Sequence, residues 1–264
     1  MHVIVCIKQV PDTTNVKINP ETNTLMRDGV ESILNPFDEY ALEMGLKLKD
    51  TQGARVSVIT MGPPQADVIL RDAIARGADD GVLLTDRAFA GADTLATSYA
   101  LSLAIKKVNE HPDLVLFGKQ AIDGDTAQVG PGVSEYLGYT LLCNVKSLTV
   151  EGNHFQAESV YEEGSDIWEG EFPCVMTVLK EAPAPRFASL KGCMNARKAK
   201  TQWLAAKDTN ADPERLGLKG SPTKVVKIFS PPVRDCEMKC VWKSDKAKAL
   251  SSIMDALKKK GALK

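Results

Sequence analysis

The run Gly118-Lys119-Gln120-Ala121-Ile122-Asp123-Gly124-Asp125-Thr126-Ala127-Gln128-Val129-Gly130-Pro131-Gly132 leaves an apolar segment, residues 113–118 (DLVLFG), and enters a helical pattern. It carries what a phosphate group needs. Glycines let backbone amides approach an anion, the N–H groups of a helix N-terminus point at it, and Thr126 and Gln128 add side-chain donors. The spacing matches neither GxxxxGKS/T nor GxGxxG. The same residues also read as a turn in which Asp123 and Asp125 cap the next helix and the glycines relieve strain. Two further segments carry related signals, Cys6-Ile7-Lys8-Gln9 and Met61-Gly62-Pro63, each at the end of an apolar run. In a parallel sheet these ends lie beside the loop, with room for an adenine between them. Asn35 is either a helix cap or a cap that also bonds a ligand.

Other chemistry finds little support. His2, His111 and His154 stand far apart with no second ligand at i+3 or i+4, which argues against a metal site. Cys6, Cys143, Cys174, Cys193, Cys236 and Cys240 form no Cys-x-x-Cys pair and read as reduced, mostly buried thiols. Trp168, Trp203 and Trp242 read as packing residues, and Glu162-Glu163 as a solvated hairpin turn. No nucleophile elbow or kinase signature is present, so no catalytic residue is assigned.

The elements that must position these residues follow from hydrophobic periodicity. Residues 2–10 (HVIVCIKQV) and 55–61 (RVSVITM) read as buried strands, with 81–85 and 113–118 as two more. Asn35-Pro36-Phe37-Asp38 combines an N-cap, a first-turn proline and a carboxylate at N3, opening a helix to about Gly53. Helices also follow over 66–76 and after Asp93. Alternation of strand and helix predicts an α/β fold with a mostly parallel sheet flanked by helices. From about residue 140 to 182, four strand-like runs joined by short Gly turns predict antiparallel hairpins, including 174–180 (CVMTVLK). Residues 183–202 form a proline-led loop, and Arg186 to Lys207 holds six basic residues and no acidic one. After Pro231-Pro232, Ser244 is positioned to cap a last amphipathic helix carrying Leu250, Ile253, Met254 and Leu257. The expected division is a nucleotide-binding domain over 1–230 and a C-terminal arm over 231–264.

A chain of 264 residues with 44% hydrophobic and 25% charged residues belongs with folded globular proteins. A formal charge of -1 excludes a global field that would draw it onto nucleic acid or an anionic membrane. No apolar run approaches the roughly 20 residues of a membrane span, and no signal peptide is recognisable, so a cytoplasmic chain is expected.

Three segments, VIVCIKQVPDT, NPFDEYALE and GKQAIDGDTAQVGP, followed by PRFASLKGCMNARK, resemble the β (small) subunit family of electron transfer flavoprotein in order and spacing. The resemblance covers the whole chain and implies an adenine-nucleotide α-hydrolase-like fold. It implies a heterodimer with an α subunit that holds most of one FAD, taking electrons from flavoprotein dehydrogenases to a membrane quinone oxidoreductase. It also implies a structural AMP held at Cys6, Asn35, Met61, Gly62, Pro63 and Asp123 through Gly132. Such a ligand accounts for the lack of catalytic groups. The segment from Arg186 to Lys200 matches the family's partner-recognition loop, with Leu190 as the inserted leucine and Arg186 and Lys191 beside it. The C-terminal arm is expected to pack on the α subunit.

Two departures bear on this. Pro11-Asp12-Thr13-Thr14 stands where some members have a tyrosine near the flavin. The form DGDTAQVGP also occurs in flavin-bifurcating relatives that hold a second FAD in place of AMP, which is the alternative reading. An ATP-dependent ligase of the α-hydrolase group would need an SGGxDS loop after strand one, where this chain has IKQVPDT. A nucleic-acid module would need aromatics interleaved with its basic residues.

Overall fold

The computed structural model describes residues 1–12, 17–18, 25–26, 32–226 and 245–262. The chain divides into two compact units, Met1–Ile228 and Phe229–Lys264. The first unit is an α/β layer structure around one nine-stranded sheet. Its strands are β1 (His2–Cys6), β6 (Arg55–Met61), β7 (Asp80–Leu84), β8 (Leu114–Gly118), β9 (Thr140–Glu151), β10 (His154–Tyr161), β11 (Gly164–Glu171), β12 (Cys174–Val178) and β13 (Gln202–Leu204). Their spatial order is β11-β10-β9-β12-β8-β1-β6-β7-β13. From β12 to β13 every pairing is parallel, and β9, β10 and β11 form an antiparallel meander at one edge.

Among the described residues five α-helices belong to this unit: α1 (Pro36–Gln52), α2 (Asp67–Arg76), α3 (Thr94–Val108), α4 (Val129–Leu137) and α5 (Leu190–Lys198). Alternate side chains of β1 feed two cores. Val3 and Val5 join Leu42 and Leu46 of α1 and Leu70 of α2, while Ile4 and Cys6 join Tyr99 and Ile105 of α3 and Val133 of α4. Burying such an aliphatic side chain contributes about 1.5–3 kcal/mol. The chain runs from β1 outward through β6 and β7, then returns to lay β8 on the other side of β1. The order of strands therefore reverses between β1 and β8, and the crevice beyond their C-terminal ends is where open α/β sheets receive ligands.

Several expectations need correction. The run 2–10 is not one strand. It leaves the sheet after Cys6 because the Lys8 N–H is taken by the Asp38 carboxylate (2.7 Å) and the Lys8 C=O by the Asn35 N–H (2.9 Å). It resumes as β2 (Gln9–Pro11), antiparallel to β5 (Ser32–Leu34). A second small pair joins β3 (Lys17–Ile18) to β4 (Leu25–Met26). Residues 174–178 are not a hairpin strand: β12 lies between β8 and β9, parallel to both and buried along its length. An apolar run without alternation is the mark of such a central strand. The segment 183–202 contains α5 rather than loop alone, and β13 follows it as the edge partner of β7.

Trp168 and Trp203 are half exposed rather than packed, and Cys193 is exposed on α5. Thr13, Thr14, Pro231, Pro232, Cys236, Cys240, Trp242 and Ser244 lie outside the described residues. In the second unit Asp245 caps α6 (Lys246–Lys259), accepting from the Lys248 N–H at 3.1 Å.

Candidate functional site

Register brings the strand ends together. Cys6 of β1 pairs laterally with Ile59 of β6 and Phe117 of β8, and the Ile7 N–H donates to the Ile59 carbonyl at 2.9 Å. Cys6, Met61-Gly62-Pro63 and the loop after Gly118 thus lie at one end of the sheet, where the strand order reverses and open α/β sheets form their ligand crevice. Gly118 is needed for close approach: a Cβ there would run into the Asp38 carboxylate and the backbone of Phe37 and Asp38 at the start of α1.

Asn35 and Asp38 bind this crevice together. Asn35 precedes α1, yet its side chain makes no cap bond; it crosses to the loop. Its Nδ2 donates to the Gln120 carbonyl (2.9 Å) and its Oδ1 accepts from the Ile122 N–H (3.2 Å). Asp38, buried at the third helical position, accepts from the Lys8 N–H (2.7 Å) and the Gly118 N–H (3.2 Å), so one carboxyl ties β1 to β8. Burial pushes its pKa up to about 7, while bonds from Asn35, Lys8 and Gly118 pull the other way. Burial and the neighbouring Asp38 also raise the Cys6 thiol, which keeps it neutral and unsuited to act as a nucleophile.

The loop is held at several points. Lys8 grips both oxygens of Asp123 (2.7 and 2.8 Å), and the Gln120 Nε2 donates to Asp125 Oδ1 (2.8 Å). Neither aspartate caps the next helix, contrary to the turn reading. Asp125 and Ala127 sit in the left-handed region at φ 52° and 54°. Gln128 follows at φ -107° and ψ -19°, an alternation that makes successive N–H groups converge on a concavity. Holding a non-glycine residue there costs about 1–3 kcal/mol, a strain found at ligand clamps.

The helix beyond the loop, α4, starts without a side-chain cap, because the Gln128 amide carbonyl instead accepts from Thr94 Oγ1 (3.0 Å). Of its first turn, Pro131 has no N–H and the Gly132 N–H donates to the Gln128 carbonyl (2.9 Å), so the amides left for an anion are those of Val129 and Gly130. Gly130 and Gly132 have a packing role: a Cβ on them would strike Thr177 of β12 and Ser98 of α3 respectively, at 2.8 Å. Gly124, by contrast, faces open space, and Thr126 is exposed. These are features a nucleotide phosphate fits: a strained backbone and uncapped amides at the start of α4. The sequence reading placed Lys8 in a strand-end segment and Asp38 at N3 of a helix, but gave neither a role in holding the loop. Among the described residues no cluster of His, Cys, Asp and Glu is arranged for a metal ion.

The segment read as partner-binding lies elsewhere, along α2. Ser189 caps α5, accepting from the Gly192 N–H (2.9 Å), and Leu190 is 82% exposed, with Lys191 beside it. Arg186 turns inward to Glu43 and Asp50.

Residues 22–209 match the family model described as electron transfer flavoprotein domain. The chain belongs to the electron transfer flavoprotein family. It is 50% identical over 232 residues to the electron transfer flavoprotein subunit beta of Thermoanaerobacterium thermosaccharolyticum, covering 88% of each chain. The same-named protein of Clostridium acetobutylicum is 48% identical over 234 residues, 89% of this chain and 90% of its own. Protein FixA of Azorhizobium caulinodans is 43% identical over 270 residues, covering 100% of this chain and 96% of its own. These similarities place the chain with the β subunits and FixA proteins and support an electron-transfer role. No helix of the described residues is long and apolar enough to cross a membrane.

Proposed function

We propose that the chain is the β subunit of a heterodimeric electron transfer flavoprotein, an electron carrier without substrate turnover of its own that works in the cytoplasm. It holds AMP in the crevice bordered by Cys6, Met61 to Pro63 and Asp123 to Gly132, with Asn35 bracing the loop. The α subunit holds most of the FAD, which accepts electrons from flavoprotein dehydrogenases and passes them toward a membrane quinone oxidoreductase. The observation that carries the nucleotide reading is the uncapped start of α4 behind the left-handed pair Asp125 and Ala127. Bound AMP would stabilise whichever state holds it, by an amount that grows with the logarithm of free AMP above its Kd.

Docking is assigned to α5. Leu190 supplies an apolar anchor amid basic residues, where charge speeds encounter and a small buried contact keeps the complex short-lived. The C-terminal arm packs on the α subunit through the stripe Leu250, Ile253, Met254 and Leu257, all exposed on α6. Leu190→Ala, made in the heterodimer, is expected to weaken coupling to the dehydrogenase about tenfold or more while flavin content stays the same. Unchanged electron-transfer rates would refute the docking role. A second reading, a bifurcating relative with a second FAD in the same crevice, is favoured by the loop form DGDTAQVGP and the open space at Gly124.

A further inference from the structure

We propose that Glu43 of α1 is a positioning residue for partner docking: through Arg186 it fixes where Leu190 stands. The inference rests on the docking role of Leu190 given above. Between β12 and α5 the chain is irregular, and Pro183 and Pro185 have no N–H to give. Among the described residues its backbone-to-backbone bonds are Leu179 N–H to Val145 O and Ala182 N–H to Leu179 O at one end and Cys193 N–H to Ser189 O at the other, with none between. Among the described residues the side chains that hold the stretch between are Glu43 and Asp50, both through Arg186. Glu43 Oε2 accepts from the Arg186 backbone N–H (3.0 Å) and Nε (2.8 Å), and Oε1 accepts from Nη2 (3.0 Å). The same Nη2 reaches Asp50 at 2.6 Å.

Glu43 is 4% exposed, so its charge has little recourse to water and depends on these donors. A planar guanidinium engaged on both oxygens, with the backbone N–H of the same residue on one of them, sets position and direction of the chain at Arg186. Phe187 follows at 95% exposure, and Leu190 comes three residues later. The far end of α5 is held too: Arg71 Nη1 donates to the carbonyls of Ala196 (3.0 Å) and Ala199 (3.3 Å), and Gly192 lies against the Ala75 carbonyl. Phe187, Leu190 and Met194 therefore stay in solvent on a segment whose pose is set before any partner arrives. Such preorganisation removes an ordering cost from a small interface. Arg186, whose guanidinium is already engaged, serves this clamp rather than a charge on the partner.

The test uses the heterodimer and a flavoprotein dehydrogenase of the same cell, reduced by its own substrate, as electron donor. Glu43→Gln should raise the KM for the dehydrogenase roughly tenfold, with kcat and flavin content unchanged, and should speed hydrogen exchange over residues 183–190. In the Leu190→Ala background the same substitution should add nothing, because the clamp acts through that leucine. Arg186→Lys provides the same readings should the first variant fail to fold. Effects of Glu43→Gln and Leu190→Ala that multiply, or a KM that rises for Leu190→Ala alone, overturn the positioning role. If Leu190→Ala leaves KM unchanged, the docking reading itself falls, while hydrogen exchange over 183–190 still reports whether the clamp orders the segment.

Discussion

Asp38 links the ends of β1 and β8 beneath the crevice, and its substitution makes a sharp test of how that junction is held. Its ordinary pKa of 3.8 is pushed up to about 7 by burial. Between about pH 4 and pH 7 the folded carboxyl keeps its proton while the unfolded one has lost it. The folded state then binds more protons, and stability falls as pH rises through that window. At about 1.4 kcal/mol per pH unit, the loss by pH 8 is about 4 kcal/mol. Asp38→Asn keeps the shape but cannot titrate. Its single amide oxygen leaves one of the Lys8 and Gly118 N–H groups without an acceptor, at a cost of about 1–2 kcal/mol. Wild type should therefore be the more stable near pH 3.5, the two should cross between about pH 4.4 and pH 5.3, and the variant should lead at pH 8. Urea unfolding of the full chain, followed by tryptophan fluorescence across that range, measures the difference. A difference that is flat with pH, or that widens in favour of wild type as pH rises, would refute the reasoning. It would mean that Asn35 and the two backbone donors keep the carboxylate ionised in the fold.

Two other perturbations address the loop and the arm. Asn35→Ala removes the bonds to Gln120 O and Ile122 N–H and is expected to cost about 2 kcal/mol, with faster proteolysis within residues 119–124 as the local signature. Normal resistance of that loop would contradict the bracing role. Deleting residues 233–264 should impair assembly with the α subunit, measured by co-purification; full recovery of the pair would show that the arm is dispensable.

Local signals were legible where local physics decides. The apolar run of β1 marked a buried strand, Gly53 ended α1 in the left-handed conformation, and Asp93 capped α3 through the Leu95 and Ala96 N–H groups. What could not be read depends on partners distant in the chain. Asn35 looks like any helix cap until Gln120 and Ile122, 85 and 87 positions away, take its amide. Arg186 counts toward a basic patch by composition, yet its partner Glu43 lies 143 positions back. The run CVMTV satisfies a hairpin strand as well as a buried parallel one, and only the pairing of β12 with β8 decides. Of the candidate site, the strand ends and the loop were visible as strings; the bonds by which Asp38 and Lys8 join them were not.

The most direct test of the central claim is to co-express the chain with its α subunit, denature the purified complex, and identify and count the released nucleotides by chromatography and mass spectrometry. One FAD and one AMP per heterodimer is the expected result. Two FAD without AMP would move the chain to the bifurcating reading, and release of no adenine nucleotide besides a single FAD would contradict the crevice assignment.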